Sequence, residues 1–491
     1  MSIDAVINRA IQPLTDALSR LIFFELQLAG APVKLVVLWL ILAAVFFTLY
    51  LGFVNVWGLP AALRIVRGDP DSDASSSMPG QVSHFQALMT ALSGTVGIGN
   101  IAGVPVAIAM GGPGAVFWMI LAGLLGMTTK CVECTLGVKY RIQHPDGRVS
   151  GGPMYTLSRG LAEVRGLPRL GGFLGGFYAL GIVIGCMGIG NMFQSNQAFV
   201  QFVTITGAEA SWFANKGWLF GLGMAALVGL VILGGIRRIA AVTSRLVPFM
   251  ALLYLVFGLI VIGMNAEALP FALKAIVNRA FQPEGVTGGM LGVMMIGFQR
   301  AVFSNEAGIG SAAIAHAAVK TDQPVTEGLV AMLEPLIDTV IICTVTALVV
   351  ITTSYYQPGL LSELPPGIAT TSSAFARQIS WFPYPLALAA LLFAFSTMIS
   401  WAYYGLKGWT YLFGSSSRAE NSFKLVFCGF VALGCMIQLK AVLDFSDALV
   451  FVICIPNLLG LYLLAPAMKQ ELGQYFAQTK AGPHKDRKPV R

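Results

Sequence analysis

Two glycine-rich segments combine polar oxygens with residues that oppose a continuous helix. The first segment, residues 93–105, reads SGTVGIGNIAGVP. Each glycine disfavours a helix by roughly 1 kcal/mol and the proline by about 3 kcal/mol relative to alanine, so the sequence predicts a helix break. Freed amides at a broken helix can bind a carboxylate, and freed carbonyls can coordinate a cation. Thr95 and Asn100 add oxygens of the hard type that Na⁺ prefers, although the glycines alone would also permit tight helix packing.

The second segment, residues 303–311, reads FSNEAGIGS and places an acidic residue within an apolar run. An ionisable side chain at membrane depth is costly and indicates a functional role by default. Glu306 could therefore neutralise a bound cation or pair with the amino group of a zwitterion. It could instead form a structural ion pair with Arg300, which lies about one and a half helical turns earlier.

Two further apolar runs carry polar side chains that could complete such a site. Residues 191–197 read NMFQSNQ, and the Gln194 amide in this patch could bind a small polar solute or tie helices together. Ser396, Thr397 and Ser400 could supply hydroxyl ligands to a cation, or bond back to their own helix. Trp401 could form one wall of a compact pocket.

The other ionisable and sulfur-containing residues of the apolar runs suggest simpler roles. Glu334 lies one turn from Asp338, which predicts a polar stripe that faces the protein interior and not lipid. His316 falls near the end of its run, where an interfacial role is favoured over a proton relay. Cys131 and Cys134 form a C-x-x-C without a second pair, so we expect them to act as small apolar residues and not as a metal or redox site.

These residues belong to a chain of 491 residues that is 56% hydrophobic and only 11% charged, with a mean hydropathy of +0.75. A soluble domain has about 25% charged residues, so the composition excludes a water-soluble enzyme. At about 20 residues per span, the apolar runs predict about eleven transmembrane helices. The runs cover residues 36–56, 89–111, 113–137, 172–203, 217–235, 246–265, 288–317, 327–353, 384–408, 423–439 and 446–466.

The flanking segments and loops predict the orientation of the chain. Residues 1–30 are amphipathic and predict an interfacial helix, without the pattern of a cleaved signal peptide. Residues from Lys469 onward are polar and basic, and we expect a disordered tail. The net charge of +8 comes from Lys and Arg that concentrate in alternate loops. The positive-inside rule therefore places the C-terminus in the cytoplasm and the N-terminus outside the cell membrane.

An internal echo relates two halves of the chain. Gly-Ile-Gly occurs at residues 97–99 and again at 308–310, and each copy opens a set of five predicted spans. A third copy at residues 188–190 shows that the tripeptide alone is a weak signal. An odd number of spans forces the two sets to insert with opposite topology. The predicted fold is thus an all-α polytopic membrane protein with a five-plus-five inverted repeat and one extra N-terminal helix. The boundaries are residues 1–84 for the interfacial helix and extra span, 85–287 and 288–466 for the two repeats, and 467–491 for a cytoplasmic basic tail.

Several motifs in order resemble the alanine or glycine:cation symporter family. They are SGTVGIGNIAGVPVAIAMGGPG at residues 93–114, FWM at 117–119, GGPMY at 151–155 and FSNEAG at 303–308. The resemblance implies a sodium-coupled or proton-coupled symporter of alanine and glycine, within the amino acid-polyamine-organocation superfamily. It also implies a core like that of the neurotransmitter:sodium symporters. One departure is Pro105, where the family is expected to carry a small aliphatic residue, and it leaves the length of the unwound segment open.

The same resemblance implies roles for individual residues. In the shared core, the amides of a similar V-G-x-G-N stretch hold the substrate carboxylate, so residues 95–99 would surround it and Asn100 would lie near a coupling ion. Backbone carbonyls of Ser93 and Val96 would join the two hydroxyls at 396 and 397 around Na⁺. The candidate substrate site comprises Thr95, Gly97, Gly99, Gln194, Phe303, Ser304, Asn305, Glu306 and Trp401. The candidate Na⁺ site comprises Ser93, Val96, Asn100, Ser396 and Thr397.

The predicted function is secondary active symport by alternating access. Na⁺ (or H⁺) enters with alanine or glycine, the partners are this small amino acid and the lipid bilayer, and no organic cofactor, nucleic acid or enzymatic reaction is implied. The alternatives are a channel, a differently coupled carrier of another small zwitterion, or a membrane-embedded enzyme. An intramembrane enzyme would need paired carboxylates or a histidine-rich metal cluster, but the chain has 4 histidines, none at the spacing of helical ligands. The sequence leaves the oligomeric state open.

Overall fold

The computed structural model describes residues 13, 16–17, 20–28, 31–68, 80–145, 147–282, 286, 288–355 and 367–480, and nearly all regular structure in them is helical. The α-helices before residue 288 are Leu35–Tyr50, Val54–Trp57, Leu59–Arg67, His84–Thr95, Val104–Gly111, Gly114–Lys139, Pro153–Tyr155, Leu161–Arg165, Pro168–Met187, Phe193–Ile205, Gly217–Ile232, Gly235–Met264 and Leu269–Phe281. Those after it are Gly289–Asn305, Ala312–His316, Pro324–Ala331, Leu333–Pro335, Thr344–Val350, Ile368–Ala376, Pro383–Phe413, Ser417–Gly434 and Leu439–Lys480.

Irregular helical turns interrupt or extend these helices. The π-helical turns are Gly99–Gly103, Thr156–Gly160, Gly188–Met192, Leu336–Cys343 and Ile351–Tyr355, and the 3₁₀ turns are Ala208–Ala210 and Ala266–Ala268. Two short antiparallel hairpins pair Glu25–Leu28 with Ala31–Lys34, and Ile142–Gln143 with Val149–Ser150. Since π turns free backbone groups and often mark functional sites, the turns at 99–103 and 336–343 are natural places to look for one.

The helices have the length and composition of membrane spans. Among the described residues, 6 helices are long and apolar enough to cross a membrane, and the bent pair His84–Thr95 and Gly99–Gly111 would make a seventh. Leu35–Tyr50 and Gly217–Ile232 are shorter apolar helices. The structure therefore confirms a mostly helical, multi-pass membrane protein. The count of about eleven spans and the inverted repeat stay predictions.

The distribution of side chains is that of a protein surrounded by lipid. Large apolar residues are exposed along outer helices, as Phe249, Leu252 and Leu259 are on Gly235–Met264. Threonines, amides and carboxylates are instead buried near the middle of the bundle. Buried polar groups require partners, so this polar interior is where binding is expected.

The first broken helix begins and breaks for local reasons. Ser83 caps its start, because its hydroxyl accepts from the Gln86 amide while the Gln86 side chain accepts from the Ser83 amide. The helix ends at Thr95 and resumes at Gly99 with a bend of 43°. The following π turn leads into Val104–Gly111, whose first turn contains Pro105. Proline is tolerated in a first helical turn, so the departure at Pro105 leaves a short unwound segment, residues 96–97.

The second broken helix ends at Asn305 and resumes at Ala312. Glu306, which follows the first part, has the left-handed φ of 58°, and Gly308 and Gly310 follow with φ of 92° and 84°. The glycines adopt such angles at little cost, whereas a side chain such as that of Glu306 does so at the expense of backbone strain. A strained acidic residue inside a membrane helix points to a functional constraint.

The two ends of the chain differ from the sequence-based expectation. Most of the predicted interfacial helix at residues 1–30 lies outside the described residues, and Glu25–Leu28 is a strand. The last helix continues as far as Lys480, beyond the expected end of the final span at 466. The expected disordered tail from Lys469 is therefore helical over its first part, and residues 481–491 lie outside the described residues.

Candidate functional site

The amides freed by the first helix break are held by side-chain oxygens. The Gly97 amide donates to Asn100 Oδ1 at 2.9 Å, and the Ile98 amide donates to Gln194 Oε1 at 3.1 Å. Gln194 is oriented by its own amide, which donates to the Ile189 carbonyl at 2.9 Å. The break thus presents N–H groups to an oxygen acceptor from another helix.

Gln194 differs in this respect from its amide-rich neighbours. Asn191 Nδ2 donates to the Phe427 carbonyl at 2.8 Å, and Asn196 Nδ2 donates to the Ile437 carbonyl at 2.6 Å. Those two amides tie helices together, which was the simpler of the two sequence interpretations. Gln194 reaches the helix break instead.

Two glycines allow other helices to approach the break closely. A Cβ built on Gly97 would overlap Thr397 Oγ1 and would lie 3.2 Å from Gln194 Oε1. A Cβ on Gly99 would lie 3.8 Å from the Phe303 ring and 4.0 Å from Ser304 Cα. Residues from three other stretches of the sequence therefore meet around residues 97–99, and all of them belong to the predicted site.

Asp338 joins the two helix breaks. Its Oδ1 accepts from Asn100 Nδ2 at 2.7 Å, and its Oδ2 accepts from Ser304 Oγ at 2.8 Å. Asn305 Nδ2 donates to the neighbouring Thr339 hydroxyl at 3.0 Å. Asp338 is completely buried. The sequence predicted that Asp338 faces the protein interior. Its contacts with both breaks join distant parts of the sequence, so only the structure shows them.

Hydroxyls cluster on the other side of the first break. Ser93 Oγ donates to the Ser396 carbonyl at 2.6 Å, and Ser400 Oγ lies 2.9 Å from Ser93 Oγ. Thr397 Oγ1 is buried and has no hydrogen-bond partner among the described residues. An orphaned buried hydroxyl beside a helix break suits a cation or ligand contact. The Asn100 side chain, predicted in the same set, bonds to the Gly97 amide and to Asp338 instead.

Glu306 and Trp401 form a contact between the second break and the first. Trp401 Nε1 donates to Glu306 Oε1 at 3.0 Å and lies 3.3 Å from the Gly94 carbonyl. The Ser311 hydroxyl donates to the other Glu306 oxygen. Thr95 Oγ1, by contrast, is 3.3 Å from the Leu92 carbonyl of its own helix. Trp401 and Glu306 thus meet at the site, whereas the Thr95 hydroxyl turns back to its helix.

Arg300 has a partner other than Glu306. Its guanidinium forms a buried ion pair with Asp447 and lies 5.2 Å from the centroid of the Phe303 ring. The pair borders a cavity of about 340 Å³ that Lys34 and Gln299 also line. One layer, made of the ion pair and the Phe303 ring, therefore separates this cavity from the residues around Gly99.

Sequence reasoning missed several charged residues of the interior and misplaced one. His316 is completely buried and lies between Glu327 and Glu334, so the expected interfacial position is wrong. Lys130 is also fully buried and bonds to Glu334 at 3.1 Å. The signal for Lys130 was present, since it is a charged residue inside the apolar run at 113–137. All seven cysteines are free, and six of them are buried, as expected for small apolar residues.

Comparison with known proteins identifies the family. A family model described as the sodium:alanine symporter family matches residues 24–489. The sodium/alanine symporter AgcS of Methanococcus maripaludis is 38% identical over 428 residues, which cover 87% of this chain and 91% of AgcS. The probable sodium/glutamine symporter GlnT of Bacillus subtilis is 33% identical over 452 residues, which cover 91% of this chain and 89% of GlnT.

A solved structure shares the fold. The crystal structure of MhsT in complex with L-phenylalanine has a TM-score of 0.57 and covers 80% of this chain and 99% of that chain, with 13% sequence identity. At this identity the likeness concerns the fold alone. The protein is a cation-coupled amino-acid transporter of the membrane and not an enzyme. With a matching family model over most of its length and full-length relatives, the chain belongs to the sodium:alanine symporter family.

Proposed function

We propose that this protein couples Na⁺ influx to the uptake of small neutral amino acids, alanine and glycine, by alternating access. The observation that carries the proposal is the bond from the Ile98 amide to Gln194 Oε1 at the first helix break. A side-chain oxygen there occupies the position that a substrate carboxylate oxygen would take. A backbone N–H at a broken helix is suited to an anionic oxygen, because the helix dipole favours negative charge there.

The proposed substrate lies between the two breaks. Its carboxylate would displace Gln194 from the amides at residues 97–98, and Gln194 Nε2 would remain available as a donor. Its amino group would face the second break, where Glu306 and Ser304 supply oxygens. The Phe303 ring and Trp401 would enclose a short side chain, since both are fully packed against this region. Such a compact site favours alanine or glycine over larger amino acids.

Two groups of oxygens are candidates for holding the coupling cation. The first combines the orphaned Thr397 hydroxyl with Ser93, Ser396 and the Val96 carbonyl. The second combines the Ser304 hydroxyl with the Asp338 carboxylate, to which Asn100 Nδ2 donates while Asn100 Oδ1 accepts from the Gly97 amide. Both groups offer hard oxygen ligands, which suit Na⁺. Each group also touches the first break, so cation binding would organise the residues that receive the substrate.

Access to this site would alternate between two faces. We propose eleven spans, with inverted repeats at residues 85–287 and 288–466, an outward N-terminus and a cytoplasmic C-terminus. The cavity above the Arg300–Asp447 pair then opens outward, because it lies beside Lys34 at the start of the first span. Breaking this pair and moving the Phe303 ring would open the substrate site to that face.

Uptake in proteoliposomes tests the function directly. The purified protein should accumulate radiolabelled alanine when an inward Na⁺ gradient is imposed, and not when K⁺ replaces Na⁺. Unlabelled glycine should compete, and glutamine should compete poorly. Uptake that persists after both Na⁺ and proton gradients are collapsed, without saturation or counterflow, would instead indicate a channel.

The Thr397 hydroxyl permits a sharper test of the cation site. Thr397→Val keeps the shape of the side chain but removes the oxygen, so the Na⁺ concentration for half-maximal uptake should rise about tenfold, equivalent to 1.4 kcal/mol. Thr397→Ser should restore it. The matched control is Thr346→Val, which removes a buried hydroxyl whose bonds are to Tyr254 and to the Ile342 carbonyl and not to the proposed cation ligands. An unchanged Na⁺ response in Thr397→Val would exclude this hydroxyl as a ligand.

A further inference from the structure

Five buried side chains form a continuous hydrogen-bonded chain that the transport site does not use. His84 Nδ1 contacts Glu327 Oε1, and Glu327 Oε2 lies 2.5 Å from His316 Nδ1. His316 Nε2 lies 2.7 Å from Glu334 Oε1, and Glu334 Oε2 accepts from Lys130 Nζ at 3.1 Å. The side chain of His84 is 10% exposed, whereas the other four are 0% exposed. We call these five residues the charge relay chain.

The charge relay chain must hold a proton that its five side chains would not carry separately. Both ring nitrogens of His316 face carboxylate oxygens at hydrogen-bond distance. A neutral imidazole has one N–H and one lone pair, so one of these contacts would bring two lone pairs together. His316 is therefore an imidazolium, or one of the two glutamates is protonated. In either case the unit Glu327–His316–Glu334 carries one extra proton.

Charge balance explains why this proton is held and when it would leave. With His316 protonated, two carboxylates are balanced by the imidazolium and by Lys130, so the buried unit is neutral. Loss of the proton would leave a net negative charge in the interior, which is unfavourable unless a cation compensates it. The helix that carries Lys130, Gly114–Lys139, links the unit to the transport site: one turn further along it, Glu133 Oε1 accepts from Asn457 Nδ2, which also donates to the Gly308 carbonyl at the second break.

Other titratable and charged groups surround the charge relay chain and affect how readily it releases its proton. The titratable or charged side chains near it are Glu133 and Cys134, which share the helix Gly114–Lys139 with Lys130, and Arg141, Glu306, Asp338 and Tyr404 from elsewhere in the sequence. Ligand atoms of Cys134, His316 and Glu334 lie within 4.8 Å of one another, a spacing that a metal ion could use. Both His316 nitrogens are engaged with carboxylates, however, and Lys130 already neutralises Glu334. A proton fits this cluster and a divalent metal does not.

We propose that the charge relay chain is a proton-binding site whose proton is released when the coupling cation binds at the helix breaks. In the release step His316 Nδ1 gives its proton to Glu327. The His84 ring then turns its unprotonated nitrogen towards Glu327, takes the proton and releases it to water. Only N–H and O–H bonds form and break, and at the end His316 alone carries one proton fewer. With the proposed orientation, His84 lies at the cytoplasmic end of the first broken helix. The proposal rests on the proposed Na⁺-coupled function for the identity of the cation.

The linkage has a definite sign. Because the cation and the proton oppose each other, each lowers the affinity for the other by the same factor. Acid should therefore weaken Na⁺ binding, up to about tenfold per pH unit for one linked proton. An amino acid that binds with Na⁺ would show the same pH dependence through the cation.

Proton release on Na⁺ addition tests the proposal without relying on transport. The full-length protein in detergent is mixed with NaCl in weakly buffered solution containing a pH indicator, and choline chloride serves as the blank. The wild type should release about one proton per chain, as expected for one linked proton. His316→Gln should abolish the release. His144→Gln is the matched control. His144 bonds to Ser150 in a hairpin that is not part of the charge relay chain, so this substitution should leave the proton release unchanged.

A second variant keeps the test decisive if His316→Gln fails to fold. His84→Asn at the partly exposed end should release the same amount of proton, but about a hundredfold more slowly in stopped-flow mixing, the lower end of what a proton-transfer group contributes. Na⁺ binding without proton release, or release that is unchanged in both variants, would overturn the charge relay. Na⁺-dependent alanine uptake would survive that result. Intact proton release without Na⁺-dependent uptake would instead overturn the proposed function.

Discussion

Two glycines at the first helix break, Gly97 and Gly99, provide a matched pair of substitutions with different expected effects. In Gly97→Ala the new methyl group would overlap Thr397 Oγ1 and press on Gln194 Oε1 at 3.2 Å. In Gly99→Ala the methyl group would meet the Phe303 ring at 3.8 Å, which is ordinary van der Waals contact. Gly97 lies in the unwound segment, whereas Gly99 begins the π turn.

The expected magnitudes follow from these contacts. Overpacking a tight site costs about 1–3 kcal/mol, so Gly97→Ala should reduce alanine uptake roughly 5- to 150-fold, with the Na⁺ response weakened as well because Thr397 must move. Gly99→Ala should fold normally but place a methyl group where the substrate side chain would lie. One methyl group is worth about 0.8 kcal/mol, so the preference for alanine over glycine should fall about fourfold.

Uptake of labelled alanine and glycine at several Na⁺ concentrations, normalised to the amount of reconstituted protein, provides the assay. Gly103→Ala is the control, because a Cβ at Gly103 would meet nothing within 4 Å. Equal losses in all three variants would show that helix propensity, and not the site geometry, determines transport. Normal uptake by Gly97→Ala would refute the assignment of this break to the substrate and cation.

Three further predictions concern the rest of the site and the topology. Asn100→Ala removes the partner of the Gly97 amide and of buried Asp338, and unsatisfied buried groups cost about 1–3 kcal/mol each; the half-saturating Na⁺ concentration should rise more than expression falls, and an unchanged Na⁺ response would contradict this role. Asp447→Asn should loosen the layer above Phe303. A thiol introduced by Met110→Cys in the adjoining cavity should then react with a thiol reagent faster than it does in the protein that carries Met110→Cys alone. An equal rate would argue against a gate. A fluorescent protein fused at the C-terminus should fluoresce and an alkaline phosphatase fusion should be inactive, since the basic loops predict a cytoplasmic end; the reverse result would invert the proposed orientation.

The breaks in the helices could be predicted from sequence because their causes are local. Glycine opposes helix in a helix interior, and so does proline beyond the first turn, and residues 93–105 concentrate glycine. The structure bends at this segment and also interrupts the helix after Asn305. The third Gly-Ile-Gly, at residues 188–190, has a different structural role, because Gly190 has no side chain and the Trp401 ring packs against its backbone. Local composition thus indicates irregular backbone but not its purpose.

The pairings within the interior could not be predicted, because they join distant parts of the sequence. The approach of Gln194 to Ile98, of Asp338 to both breaks, and of Asp447 to Arg300 depends on how helices pack. A single sequence gives the period and hydropathy of each helix but not which faces meet. His316 shows the consequence: its position at the end of an apolar run suggested an interface, whereas neighbouring helices bury it completely.

The interior charge count ties composition to mechanism. Besides Asp447, which pairs with Arg300, five carboxylates among the described residues are at most 2% exposed, namely Glu133, Glu306, Glu327, Glu334 and Asp338. Lys130 and a protonated His316 can balance only two of them. Unbalanced buried charge is strongly unfavourable, so the remaining carboxylates must hold protons or attract cations. Two of the three that remain, Glu306 and Asp338, contact residues of the helix breaks. A bound Na⁺ there would supply the missing positive charge. Without the cation, Glu306 and Asp338 would stay unbalanced beside the substrate site. Removing Na⁺ should therefore weaken substrate binding even if no substrate atom contacts the ion.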